Sequence, residues 1–239
     1  MQAMKYNRIL LKLSGEALAG ASGKGLDENV MGTYAAQIAK VVKSGTQVAI
    51  VIGGGNIFRG LSGVGAGFER VRGDQMGMLA TVINSIGLSL FIKAAGVPAE
   101  VFTSTKMEPM ARYYVRDEAV KTMEAGGVAI IAGGTGNPFF TTDSAAALRA
   151  CEIGADALFK GTKVDGVYDS DPVKNPNAKK YSSLSFDKAL ADTLKVMDAT
   201  AFTLCRENNI PIVVFDMNAA GTLEGIVAGK PLGTVVSNE

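Results

Sequence analysis

Short, continuous apolar runs alternate along this chain with stretches whose apolar residues return every three or four positions. The runs Asn7–Leu13, Gln47–Ile52, Glu100–Thr103, Val128–Ala132, Ala157–Lys160 and Ile212–Phe215 read as buried strands. Helical spacing marks Glu28–Ser44, where Val30, Tyr34, Ile38, Val41 and Val42 share one face and Gly45 supplies a stop. The same reading predicts helices over Gly73–Ala95, Arg112–Ala125, Thr142–Ile153, Thr200–Asn208 and Thr222–Ala228. Strands that alternate with helices imply right-handed crossovers, hence an α/β fold. The expected architecture is a three-layer α/β/α sandwich with a mostly parallel central sheet. No tandem repeat or linker interrupts the pattern, so residues 1–239 read as a single domain. Asp165–Ser183 is polar, carries two prolines, and reads as a long surface excursion.

Composition narrows the chemistry more than the fold. The chain has 239 residues, 47% hydrophobic and 20% charged, which is a globular balance. Lys plus Arg is 24 against 23 for Asp plus Glu, a net charge of +1, so no broad nucleic-acid surface is expected. Histidine is absent, which removes the usual imidazole base and His-containing zinc sites. Cys151 and Cys205 lack metal spacing and read as core packing. No basic-then-apolar leader opens the chain, and the uninterrupted apolar runs are too short to span a bilayer. A cytoplasmic place is the expectation.

Glycine, at 29 residues, collects where the strands end. The predicted strand ends carry Lys12-Leu13-Ser14-Gly15, Gly53-Gly54-Gly55-Asn56 with Arg59 beyond, Gly133-Gly134-Thr135-Gly136-Asn137-Pro138, and Lys160-Gly161-Thr162-Lys163. Ligands of open parallel sheets bind outside the carboxyl ends of the strands. There glycine lets backbone N–H groups approach an anion, and a following helix adds its positive end. One such turn means little, because a tight strand-to-helix turn needs glycine for geometry alone. Four turns, three with a neighbouring Lys or Arg, point to a polyphosphate site. Neither G-x-x-x-x-G-K-[ST] nor G-x-G-x-x-G occurs, so the P-loop and the dinucleotide fingerprint are both excluded.

Two longer strings carry more detail. AGGTGNPFFTTDSA at Ala132–Ala145 combines an Asn-Pro turn with a helix start that Thr142 or Asp143 can cap. It reads either as a capped loop anchored to the core by Phe139 and Phe140, or as a cradle for an acceptor phosphate beside a base pocket. TKVDGVYDSDP at Thr162–Pro172 reads either as a polar hairpin or as an adenine shelf, with Tyr168 against the base and Asp171 accepting hydrogen bonds from it or its ribose.

These strings, with KLSGEAL at Lys12–Leu18, VIGGGNIFRG at Val51–Gly60, GDQMGMLATVIN at Gly73–Asn84 and VMDATAF at Val196–Phe202, resemble bacterial uridylate kinases of the amino-acid-kinase fold group. The resemblance runs through essentially the whole chain in order. GGGN and TKVDGV are widespread in the fold group; GDQMGMLAT and GTGNPFFTTD are narrower and point to the UMP branch. The resemblance implies transfer of the γ-phosphoryl group of ATP to UMP, with the N-terminal part mainly serving UMP and the C-terminal part ATP. It implies ATP contacts at Lys12, Leu13, Ser14, Gly15, Gly55, Arg59, Thr162, Tyr168 and Asp171. UMP contacts would be Gly54, Asp74 on the ribose hydroxyls, and Thr135, Gly136, Asn137, Pro138, Phe139, Phe140, Thr141 and Thr142. It also implies a cytoplasmic homohexamer activated by GTP and inhibited by UTP, with the GTP segment at Gly20, Ala21, Ser22, Gly23, Lys24 and Gly25.

Phosphoryl transfer needs in-line placement and charge neutralisation more than a strong base. Lys12 and Arg59 are the expected charge stabilisers. Asp143 and Asp198 would orient the lysines or the shell of Mg²⁺, and Lys160 is a further candidate for the same pocket. Helix capping is the structural alternative for both aspartates. Mg²⁺ would arrive on ATP, held by phosphates and water, with no dedicated protein ligand. Two other functions fit the same residues: a kinase of the same fold acting on carbamate or an amino-acid carboxylate, and a nucleotide sensor or storage protein without turnover.

Overall fold

The computed structural model describes residues 5–58 and 69–239. Among these residues the centre is a nine-stranded sheet. In chain order the strands are β1 Arg8–Leu13, β2 Gln47–Ile52, β3 Ala99–Thr103, β4 Arg112–Tyr113, β5 Val128–Ala132, β6 Ala157–Thr162, β7 Ser183–Ser185, β8 Ile212–Asp216 and β9 Thr234–Ser237. The spatial order is β4-β3-β5-β2-β1-β6-β8-β9-β7, and every pairing is parallel except β8 with β9.

The central strands are buried on both sides, so their apolar residues alternate between two cores. Ile9, Leu11 and Leu13 of β1 join Val48, Ile50 and Ile52 of β2 on one face, whereas Leu10, Ala49 and Val51 face the other. The first face is covered by α1 (Glu28–Lys43), α2 (Arg70–Ala94) and, near the C-terminus, α7 (Thr222–Val227). The second is covered by α3 (Arg116–Glu124), α4 (Thr142–Ile153), α5 (Phe186–Ala191) and α6 (Ala199–Glu207). This is the expected three-layer arrangement. Cys205 is fully buried in the second core, whereas Cys151 beside it is only partly covered.

Several elements depart from the sequence expectation. Arg112–Ala125 is not one helix: Arg112 and Tyr113 form the edge strand β4 beside Phe102 and Thr103, and the helix begins at Arg116. A two-residue exposed strand has no period to read. Strands β7 and β9 went unpredicted for a related reason, since at three and four residues they are too short to show a period and are held by pairing, β9 with β8 and β7 with β9. A 3-10 helical stretch, Gly15–Ser22, follows β1 directly, and the short helix α5 also lacks a periodic signal.

Helix α2 needs separate comment. As a whole it is long and apolar enough to cross a membrane, although it contains no uninterrupted apolar run of that length. Its buried side carries Thr81, Asn84 and Ser85 beside Val82, Leu88 and Ile92, and it packs on α1 and β3. That is the behaviour of a core helix. Its outward side leaves Leu79, Ile83 and Leu90 more than half exposed.

Candidate active site

The carboxyl ends of β1, β2, β5 and β6 meet in the middle of the sheet. Lys12 and Lys160 are register partners on adjacent parallel strands, so their side chains leave the sheet side by side on one face. Two ammonium groups placed that way repel unless something negative separates them. Asp143, in the first turn of α4, fills that role: its Oδ1 lies 2.8 Å from Lys12 Nζ and its Oδ2 lies 3.0 Å from Lys160 Nζ. All three side chains are mostly buried, at 11%, 16% and 17% exposure for Lys12, Asp143 and Lys160. Lys160 also donates to the Val196 carbonyl at 2.6 Å.

Burial by itself pushes the Asp143 carboxyl up, but the charges of Lys12 and Lys160 outweigh it and hold the group below its ordinary range. For Lys160, burial dominates and holds the ammonium below the ordinary lysine value, with Asp143 opposing that drop and Lys12 adding to it.

Helix α4 is capped by neither Thr142 nor Asp143 but by Thr141, whose hydroxyl accepts from the N–H groups of Asp143 and Ser144. Asp143 is thereby freed to face the lysines. The Thr141 hydroxyl donates to Asp198, which also accepts from the Ser144 hydroxyl at 3.1 Å. Asp198 in turn caps α6 through the Ala201 N–H at 2.9 Å. The structural reading of Asp198 as a cap therefore holds, and the same carboxylate ties together the starts of two helices. The positive ends of both converge beside Lys12 and Lys160, where an anion gains from each.

The glycine turn after β2 is packed too tightly for side chains. A Cβ on Gly54 would sit 2.7 Å from the Gly77 carbonyl oxygen, and one on Gly15 would sit 2.3 Å from Asn56 Oδ1. Asn56 is buried and pairs with Asn84 of α2, whose amide also donates to the Gly53 carbonyl at 2.7 Å. Asn84 has no exposed surface. It was missed as a residue that shapes this turn, although an Asn inside a predicted apolar helix was the available signal.

A cleft opens on each side of the lysine pair. The first, of about 310 Å³, is walled by Gly54, Gly55, Asp74, Thr135, Asn137 and Thr142, together with Phe140 and Thr141. Gly136, Pro138 and Phe139 are not among its walls, whereas Arg70, Met78 and Thr81, which sequence reasoning passed over, are. Phe139 and Phe140 do not anchor the loop in the core: they are 65% and 50% exposed. Phe139 instead takes a left-handed backbone (φ 70°), donates its N–H to Asp74 Oδ2 at 2.8 Å, and lies under the Arg70 guanidinium. Arg70 Nε also reaches Asp74 Oδ2 at 2.8 Å. Asp74 thus has one oxygen fully engaged by protein.

The second cleft, of about 560 Å³, is bordered by Lys160, Thr162, Tyr168 and Asp171, with the unpredicted Thr193–Val196 segment opposite. The Tyr168 hydroxyl donates to Asp165 at 2.6 Å, and Tyr168 bridges to Lys180 across the excursion. The excursion is therefore both a polar hairpin and a cleft wall. Asp171 accepts from the Val173 N–H at 2.9 Å. Arg59 lies outside the described residues. Gly20–Gly25 lies at the end of the 3-10 stretch, away from both clefts, but the Asn56 amide donates to the Gly25 carbonyl at 2.6 Å.

Buried lysines at the carboxyl edge of a parallel sheet, two converging helix starts and two flanking clefts define a phosphotransferase class that works without a P-loop. Residues 7–216 match the amino acid kinase family. The uridylate kinase of Bacteroides thetaiotaomicron is 56% identical over 234 residues, covering 98% of this chain and 99% of that protein. The one from Parabacteroides distasonis is 54% identical over the same shares. Among solved structures, the UMP kinase of Bacillus anthracis superposes with a TM-score of 0.94 at 37% identity, covering 98% of this chain and 97% of that one. The UMP kinase of Ureaplasma parvum gives 0.91 at 39% identity. The chain belongs to the amino acid kinase family and, within it, to the uridylate kinases.

Proposed function

We propose that this chain transfers the γ-phosphoryl group of ATP to UMP, giving ADP and UDP, in pyrimidine nucleotide synthesis in the cytoplasm. The observation that carries the reading is the Lys12–Asp143–Lys160 cluster lying between two clefts of nucleotide size. In this reading UMP occupies the cleft of Asp74 and the Thr135–Thr142 loop, and ATP occupies the cleft of Thr162, Tyr168 and Asp171. Their phosphates meet over the lysines. Lys12 and Lys160 follow the transferring group, Arg59 adds a further positive charge to it, and the α4 start receives the acceptor phosphate. Asp143 keeps the two ammonium groups apart and aimed before substrate arrives.

The charges of Lys12, Lys160, Asp143 and Asp198 cancel, so this quartet brings no excess positive charge to a triphosphate. That balance suits Mg²⁺ carried in on ATP, with Asp143 and Asp198 as the carboxylates available to orient its water shell. When bound, the ion neutralises charge on the phosphates; binding and aiming fall to the side chains. GTP activation through Gly20–Gly25 is supported by the Asn56 link from Gly25 to the glycine turn of β2. UTP, sharing the uracil and ribose, would compete at the acceptor cleft. Assembly into a homohexamer is supported by the exposed apolar stripe of Leu79, Ile83 and Leu90 on α2.

A coupled assay of ADP release across nucleoside monophosphates tests the reading. UMP is expected to be preferred over CMP, AMP and GMP by about two orders of magnitude, because polar groups shaped for one base edge are left unpaired by another. Comparable rates with CMP, or turnover with carbamate instead, would sink it; tight nucleotide binding with no turnover would favour a sensor.

Asp74→Asn is expected to raise KM for UMP by about 10–100-fold, the loss of a charged hydrogen bond to ribose. KM for ATP should hardly move. Equal losses for both nucleotides would mean that the Phe139 and Arg70 contacts of Asp74 serve the fold rather than the acceptor.

A further inference from the structure

Arg149 is 6% exposed on the buried side of α4, two turns beyond Asp143, and touches neither cleft. A buried guanidinium needs partners, and it has three kinds, although its Nε is buried without a hydrogen bond among the described residues. Nη1 meets Glu152 at 2.7 Å, the plane lies 4.1 Å from the centre of the Tyr114 ring, and Nη2 donates to the Ser104 hydroxyl at 3.0 Å. Ser104 follows β3 and passes the link on: its hydroxyl donates to the Gly134 carbonyl at 2.7 Å.

Ser104 also sets the room in which the loop after β5 turns. A Cβ on Gly133 would come within 3.1 Å of the Ser104 backbone nitrogen, and one on Gly136 within 3.2 Å of the Ser104 Cβ. Both glycines have positive φ. From the other side, the Gly133 N–H donates to the hydroxyl of Thr81, a wall of the acceptor cleft. The Gly133–Gly136 turn is thus gripped between Ser104 and Thr81, and it presents Thr135 and Asn137 to the cleft.

We propose that Ser104 and Arg149 are positioning residues that set base selectivity by holding the Gly134 carbonyl and, with it, Thr135 and Asn137. The proposal rests on the assignment of this cleft to the acceptor. Its physical basis is that a polar group misplaced by a fraction of an ångström loses much of its power to reject a wrong base edge, whereas the donor cleft, built on other elements, is untouched.

The test is steady-state kinetics of Ser104→Ala, Arg149→Met and Tyr114→Phe, with UMP, CMP and ATP varied in turn and thermal melts run alongside. Ser104→Ala and Arg149→Met are expected to raise KM for UMP by about tenfold and cut the UMP-over-CMP preference by a similar factor, the scale of one lost hydrogen bond. KM for ATP should stay put. Tyr114→Phe removes the hydroxyl bound to Glu152 but spares Ser104, so it should lower the melting temperature without shifting the preference. If Arg149→Met does not fold, Ser104→Ala decides alone. An unchanged preference in Ser104→Ala, a matching loss for ATP, or the same shift in Tyr114→Phe overturns the proposal. A wild-type enzyme that shows no preference for UMP would overturn the acceptor assignment instead, so the two failures are distinguishable.

Discussion

Lys12→Ala is expected to lower kcat by roughly 10²–10³-fold, the scale seen when one preorganised electrostatic donor is taken from a transition state. Lys12 is held in place before any substrate binds: its strand is at the centre of the sheet, and Asp143 fixes the ammonium at 2.8 Å. In the proposed reaction the site would need no reorganisation when charge builds on the transferring group. KM for UMP should change little, because the base and ribose contacts proposed above lie on α2 and the Thr135–Thr142 loop. Steady-state kinetics, with circular dichroism to confirm folding, provide the check. Near-full kcat in Lys12→Ala would remove Lys12 from the mechanism and make Lys160, its register partner, the leading cation.

Asp143→Asn should destabilise the free protein more than any other conservative change at the site. It leaves two mostly buried ammonium groups side by side without their counter-charge. Breaking a buried ion pair costs several kcal/mol, and since all three groups keep some contact with water, about 3 kcal/mol is expected. For a chain of this size that is a fall in Tm of roughly 6–12 °C. The carboxyl of Asp143 is held below its ordinary range, so its stabilising contribution is present above the unfolded-state pKa and lost as pH falls through the folded one. The gap between wild type and variant should therefore be full at neutral pH and close in strong acid. ATP should raise the Tm of Asp143→Asn more than that of wild type, because phosphate oxygens replace the missing carboxylate. Equal melting temperatures at neutral pH would mean that the cluster contributes nothing to the fold.

Much of this site was legible along the chain because its parts are local. The apolar runs of β1, β2, β5 and β6 and the glycines at their ends stand next to one another in sequence, and Lys12 and Lys160 each occupy the end of such a run. What the runs do not contain is their partner order. That Lys12 and Lys160 are neighbours follows only from β1 pairing with β6, a contact across about 150 positions whose register is set by packing on both faces. Asp143 shows the same limit. Its place in TTDS predicts a cap as well as an acid, and the choice was made when the Thr141 hydroxyl took the cap and bonded to Asp198.

The alternation of strand and helix, the carboxyl-edge placement of the glycine turns and the candidate lysines were determined by the sequence alone, because each depends on periodicity or on backbone freedom within a few residues. Tertiary structure alone decided the rest: the edge strands β4 and β7 and the short strand β9 between β8 and β7, the Asn56–Asn84 pair beneath the glycine turn, the engagement of Asp74 by Phe139, and the Arg149–Ser104 link. Each of these joins residues far apart in the chain, the strands through backbone pairing and the others through polar side chains. A buried polar group must find its partner wherever the packing places one, and no local pattern encodes where that will be.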